Sequence, residues 1–162
     1  MKSIFKFAAM ALAAVAMLAA CNKDDKKADS AELTLNGKVL KVTSSLMGMD
    51  VYLDFGKFAE NRITMGIDLS VMGGEGIGAM NDLGSFVINP TNATSGVITR
   101  TVDNGDGTTS TQNVAYSALT ETSCTIDLIV IASPEGAVNG EFVDVTLFDP
   151  FAADEDEEED YE

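Results

Sequence analysis

The 162-residue sequence has no histidine and no tryptophan. Without histidine there is no imidazole base, no Ser-His dyad, no HExxH zinc site and no haem ligation by imidazole. Without tryptophan the largest aromatic stacking surface is missing. The two cysteines, Cys21 and Cys124, are too few for a cysteine-only zinc finger or an iron–sulfur cluster within one chain. Positive charge is scarce: Lys plus Arg number 10 against 26 Asp plus Glu, a net charge of −16. Such a surface repels nucleic-acid phosphates and anionic headgroups, so nucleic acid is not an expected partner. The longest apolar run, Phe7 to Ala20, is 14 residues, short of the ~20 a spanning helix needs.

That run follows Met1-Lys2-Ser3-Ile4-Phe5-Lys6, a short basic segment. Basic start and apolar stretch together read as a signal peptide over 1–20. Losing Lys2 and Lys6 with it takes the net charge from −16 to −18. Leu18-Ala19-Ala20-Cys21 resembles the lipobox of bacterial lipoproteins. The resemblance implies a diacylglycerol on the Cys21 sulfur, cleavage before Cys21 by lipoprotein-processing machinery, and anchoring to membrane lipid. One acyl chain anchors marginally at about 0.8 kcal/mol per buried CH₂; two or three anchor firmly.

Residues 21–31 are polar and aperiodic, the pattern of a flexible tether. Lys23-Asp24-Asp25 resembles the export signal of Gram-negative surface lipoproteins. It implies passage through export machinery to the outer face of the outer membrane; an anchor facing the periplasm is the alternative. Asp29-Ser30-Ala31 resembles a bacterial O-glycosylation sequon, which points to Ser30.

From residue 32 to 150 the sequence reads as strand after strand. Leu33 to Leu40 carries Asn36-Gly37, a hairpin signal. Val51, Leu53 and Phe55 alternate with Asp50, Tyr52 and Asp54, predicting one apolar face and one wet face. Ile63, Met65, Ile67 and Leu69 repeat the pattern. Further strands are expected over 84–88, 96–102, 108–119, 122–132 and 140–148. Asp103 to Gly107 is expected as a hairpin tip and Ser133 to Gly136 as a turn. Cys124, Ile126, Leu128 and Val130 share a face, with Ile129 and Ile131 opposite, suggesting a central strand. The fold class is therefore all-β: an antiparallel sandwich or a small barrel of about eight or nine strands. Residues 151–162 form an acidic tail, expected to be disordered by self-repulsion. The opening Leu-Asn-Gly-Lys segment and the closing strands around Gly140-Glu141-Phe142 resemble small lipocalin-like lipoproteins of Gram-negative bacteria. That resemblance implies a binding or structural module.

Few residues suggest chemistry. Cys124 has no histidine partner and sits in an apolar pattern, so it reads as structural. Asp50, Tyr52 and Asp54, with Asp68 on a neighbouring strand, are the one carboxylate grouping a glycosidase or weak Ca²⁺ site would use. A solvated face on an acidic protein is the favoured reading of these residues. Sugar stacking would rest on Tyr52 and Tyr116. Asp103 to Thr108 lacks the order of acids and glycine of a calcium loop. Gly73 to Gly78 is expected as a flexible loop from which Ile77 and Met80 contact a partner. Met47, Met49, Met65, Met72 and Met80 read as core and loop filling. No catalytic residue, metal ligand or cofactor is expected. The expected function is an envelope binding or structural module with an unnamed ligand or protein partner. A periplasmic small-ligand binder with a lipocalin-like cavity is the alternative, and a carboxylate hydrolase the third reading.

Overall fold

A computed structural model describes residues 32–130 and 133–152. Eight strands form the wall: β1 (Val39–Ser44), β2 (Met49–Phe55), β3 (Arg62–Asp68), β4 (Ile77–Asn92), β5 (Ser95–Asp103), β6 (Thr109–Ser117), β7 (Ser123–Val130) and β8 (Ser133–Val143). Each pairs antiparallel with the next in sequence, and β8 returns to pair with β1. The result is a closed, eight-stranded, up-and-down antiparallel barrel. A two-residue strand, β9 (Leu147–Phe148), adds outside it, parallel to β4 at Ile77 and Gly78. Of the two architectures compatible with the sequence, the chain adopts the barrel. Closure removes the sheet edges a sandwich must otherwise protect.

Alternation along each strand sends one side chain inward and the next outward. Leu40, Val42, Val51, Leu53, Phe55, Ile63, Met65 and Ile67 pack inside with Ile98, Val114, Ile126 and Leu128. Phe55 and Phe86 meet edge to face, with ring centroids 5.9 Å apart, an arrangement worth about 0.5–1.5 kcal/mol beyond burial. Eight strands enclose a space just wide enough for side chains to fill. Interior Gly140 lets β8 lie close to β1, since a Cβ there would sit 2.5 Å from Val42 Cγ1.

One long strand lets the wall close. β4 pairs with β3 through its first half and with β5 through its second. The change of partner falls at Gly84, whose φ of +101° and approach to the Thr101 carbonyl leave no room for a side chain.

A second apolar cluster lies outside the wall. After β8 the chain runs on as a strap that seats Leu147 against Val39, Tyr52 and Ile77, with Val143 and Val145 alongside. Gly66 on β3 makes the seat: a Cβ there would lie 2.8 Å from Leu147 Cδ2. The predicted wet face of β2 is wet only at Asp50; next to the strap it is covered. Tyr52 is 8% exposed and Asp54 fully buried.

Other local expectations shift. Asn36-Gly37 is a turn leading into β1, with Gly37 N–H donating to the Phe55 carbonyl, and not the tip of a hairpin. Residues 77–83, read from the sequence as part loop, are the first half of β4. Ser133 and Pro134 already pair with Val130 and Ile129, so the predicted turn lies within β8; a register shift between Leu128 and Ile129 accommodates it. In a closed barrel β7 is one wall strand among eight, not a central strand. The hairpin tip at Asp103 to Gly107 is present as expected. Among the described residues, helix is confined to one 3-10 turn, Leu69–Met72.

Candidate functional site

Among the described residues the barrel interior is packed with apolar side chains. A cavity among these side chains, lined by Leu53, Phe55, Ile98, Arg100, Val114 and Ile126 among others, measures about 20 Å³. That is room for about one water molecule. Arg100 is buried there, and its guanidinium donates to Gln112 Oε1 from Nε (3.0 Å) and Nη2 (2.7 Å), and to the Leu83 carbonyl from Nη1 (3.0 Å). Desolvation lowers its pKa from the ordinary value, but a guanidinium keeps its proton. Tyr116, a sequence candidate for sugar stacking, is also buried inside and has no face to offer.

Larger hollows lie on the outer surface among the described residues. Two adjoining hollows share Lys41, Thr43 and Asp50. One of about 430 Å³ extends over Gly48, Met49, Tyr52, Asp68 and Val71; one of about 290 Å³ extends over Asn139, Gly140 and Glu141. Together they form a groove crossing the outside of β8, β1, β2 and β3. Register explains the assembly: Lys41 lies opposite Tyr52 on β2 and Glu141 on β8, and Thr43 lies opposite Asp50.

At its centre Lys41 Nζ sits 2.9 Å from Asp50 Oδ2, and Thr43 Oγ1 donates to Asp50 Oδ1 at 2.7 Å. These bonds, that from Lys41 first, hold the Asp50 carboxyl below its ordinary pKa and raise that of Lys41. Asp68, at the far end, is lowered by hydrogen bonds from Ser70 as it caps the 3-10 turn. Both carboxylates are therefore anionic near neutrality. Neither resembles the protonated partner that glycoside hydrolysis requires.

The structure thus divides the sequence-predicted carboxylate group. Asp50 and Asp68 line the groove, Tyr52 forms part of its floor, and Asp54 leaves it. Asp54 Oδ1 accepts from the backbone N–H of Lys57 (2.7 Å) and Phe58 (3.0 Å), fixing the turn after β2, while its other oxygen is buried without a partner. Lys41, Thr43, Asn139, Glu141 and Val71 were not predicted; the first four have only their outward phase on strands as a signal, and Val71 lies in the 3-10 turn.

The remaining candidates resolve into structural parts. Ile77 is buried against Leu147 and does not reach out from a loop; Met80 is partly exposed and Met72 is 65% exposed. Asp103 and Asp106 spend their carboxylates on the N–H groups of Gly105 and Thr108 at the hairpin tip. Cys124 is fully buried, and desolvation pushes its thiol up to about 11. The lipobox residues Leu18, Ala19, Ala20 and Cys21, the Lys23, Asp24 and Asp25 signal, Ser30 and the tail beyond Ala152 lie outside the described residues. The class defined is an up-and-down barrel, packed inside among the described residues, with an external polar groove. No family model, curated protein or solved structure matches the chain.

Proposed function

We propose that this chain is a lipid-anchored lipoprotein of a Gram-negative outer membrane. Its barrel is displayed on the outer face and serves as a non-enzymatic binding or structural module. Cys21 behind a basic start and a 14-residue apolar run supports the anchor, and Lys23-Asp24-Asp25 supports the outward address. The observation that carries the choice of module is the apolar packing of the interior among the described residues, where a cavity measures about 20 Å³. Recognition then falls to the outside of the barrel, where the Lys41–Asp50 groove is the candidate contact surface. No cofactor enters this reading. Its partners are membrane lipid, the processing and export machinery, and an envelope protein or external ligand.

Protease shaving of intact cells tests it, with a C-terminal epitope followed against a periplasmic control. Loss of the epitope while the control survives is expected. Survival until the outer membrane is breached overturns the outward address and promotes the periplasm-facing alternative. Cys21→Ser, expected to leave the membrane fraction, tests the anchor separately.

A further inference from the structure

The charges that line the outer groove do not balance. Lys41 is its one cation among the described residues, against the carboxylates of Asp50, Asp68 and Glu141. Lys41 is bound to Asp50 at 2.9 Å, so the centre is neutral. Negative charge is left at the two ends, Glu141 on β8 and Asp68 on β3. Neither pairs with a Lys or Arg among the described residues. The chain as a whole carries a net charge of −16, and its field draws cations toward such a surface.

The floor adds an observation independent of charge. Tyr52 lines the larger hollow and is 8% exposed, its ring packed in the outer cluster with Leu147. Its hydroxyl makes no hydrogen bond among the described residues. A phenol held this firmly usually meets a partner. Here the partner's place lies in the groove, beside Lys41, and a backbone carbonyl would fill it. A glycan suits the groove less well, because Tyr52 shows it no ring face and a neutral ligand leaves both end carboxylates uncompensated.

Register sets the spacing. Glu141, Lys41, Tyr52 and Gly66 are neighbours across four strands, and Asp68 lies two residues beyond Gly66. Strands lie about 4.8 Å apart and rise about 3.4 Å per residue, which sets the end carboxylates about 16 Å apart along the surface. An extended peptide covers about 13 Å over four residues, and its residues i and i+4 face the same way. The stems of two long basic side chains make up the rest. At the Asp68 end one stem would lie on Met49 and Val71.

We propose that the groove receives an extended basic segment of a partner protein, with two Lys or Arg side chains four positions apart meeting Glu141 and Asp68 and its backbone crossing the Tyr52 hydroxyl. This rests on the groove being the contact surface and adds the chemistry of what it takes.

Fluorescence anisotropy tests it, with a labelled Gly/Ser peptide carrying two arginines four positions apart, titrated with the full chain in neutral detergent. Saturable binding is expected that weakens about tenfold or more from about 0.1 to about 1 M salt, as the reach of the attraction falls from about 10 to about 3 Å. A peptide with the two arginines adjacent should bind less tightly. Asp68→Asn and Glu141→Gln should each weaken binding about twofold to fivefold, the scale of one exposed ion pair. Tyr52→Phe should weaken it about threefold or more and leave the unfolding midpoint unchanged, since the hydroxyl holds nothing in the fold. Glu60→Gln, which removes the same charge from the exposed loop between β2 and β3, should leave binding intact. Peptide binding that survives Asp68→Asn, Glu141→Gln and Tyr52→Phe alike overturns the groove as the contact surface. Absence of saturable peptide binding overturns the basic segment, and a neutral oligosaccharide that binds and loses affinity in Tyr52→Phe would then keep the groove while replacing its ligand.

Discussion

The seat of Leu147 on Gly66 offers a quantitative test of the fold. Leu147 is 3% exposed, and replacing it with alanine removes its packing on Tyr52, Ile77 and Gly66. Leucine-to-alanine changes in cores cost about 2–5 kcal/mol, and a strap that can settle inward belongs at the low end, about 2–3. Gly66→Ala acts from the other side. Its new Cβ would lie 2.8 Å from Leu147 Cδ2 and 3.0 Å from Ile77 Cγ2. Overpacking costs about 1–3 kcal/mol, offset by about 0.4–1 from the stiffer unfolded chain, leaving about 1–2. Once Leu147 is truncated, the methyl group added by Gly66→Ala enters the space that the leucine vacated. The double variant should therefore be destabilised by about 2–3 kcal/mol, below the sum of the two single changes, with a coupling of about 1–2. Urea unfolding midpoints, read with a common slope, measure all three variants. Strictly additive losses would refute the claim that the strap is held by this contact.

Three further outcomes are expected. Glu135 accepts hydrogen bonds from Ser44 Oγ, from Ser45 N (2.9 Å) and Oγ (3.2 Å), and from Leu46 N (3.2 Å), which clasp the β1–β2 loop and lower its pKa, the Ser44 bond most. A lowered folded pKa gives stability above the ordinary value of 4.5 that is lost as pH falls through the folded value. Glu135→Gln should then be less stable at pH 7 and show a flatter acid limb in pH-dependent unfolding. The Cys124 thiol, pushed up to about 11 and fully buried, should resist a thiol reagent at pH 8 in the native chain and react only in denaturant; brisk native labelling would contradict its placement. Gln112→Leu strips Arg100 of two of its three acceptor contacts and should cost about 2–3 kcal/mol in chemical denaturation, the range for hydrogen bonds to a charged group.

What the sequence made legible follows from how local each signal is. Ile63, Met65 and Ile67 announce their strand because their inward phase is uninterrupted, and Asp103 to Gly107 announces its turn because glycine and Asx chemistry act within five residues. The choice between sandwich and barrel depends on β8 finding β1 and β3 finding β4, pairings between segments that carry no mark of each other. The first half of β4 is hidden for a related reason. Gly76 and Gly78 look like loop, yet Gly78 lets Leu69 pack over the strand, since a Cβ there would meet Leu69 Cδ1 at 3.0 Å. Asp54 escapes the pattern because alternation predicts phase and not what covers the outer face.

The same distinction explains why the site is half visible. Asp50 and Asp68 stand out as carboxylates in a shared phase, and phase is enough to bring them into one groove. Their chemistry is not legible, because it is decided across the sheet. Lys41 reaches Asp50 from β1, and Ser70 closes on Asp68 from the turn beyond β3. Each neighbour stabilises the ionised form, so Asp50 and Asp68 stand in the groove as fixed charges and not as carboxylic acids held protonated near neutrality. Asp50→Asn provides the check. It leaves Lys41 without its partner and turns the centre of the groove from neutral to positive. A ligand read by this groove should then bind differently, while unfolding in denaturant changes little because the pair is partly exposed. A large loss of stability in Asp50→Asn would instead make the pair a part of the fold and move the search for the contact surface elsewhere on the barrel.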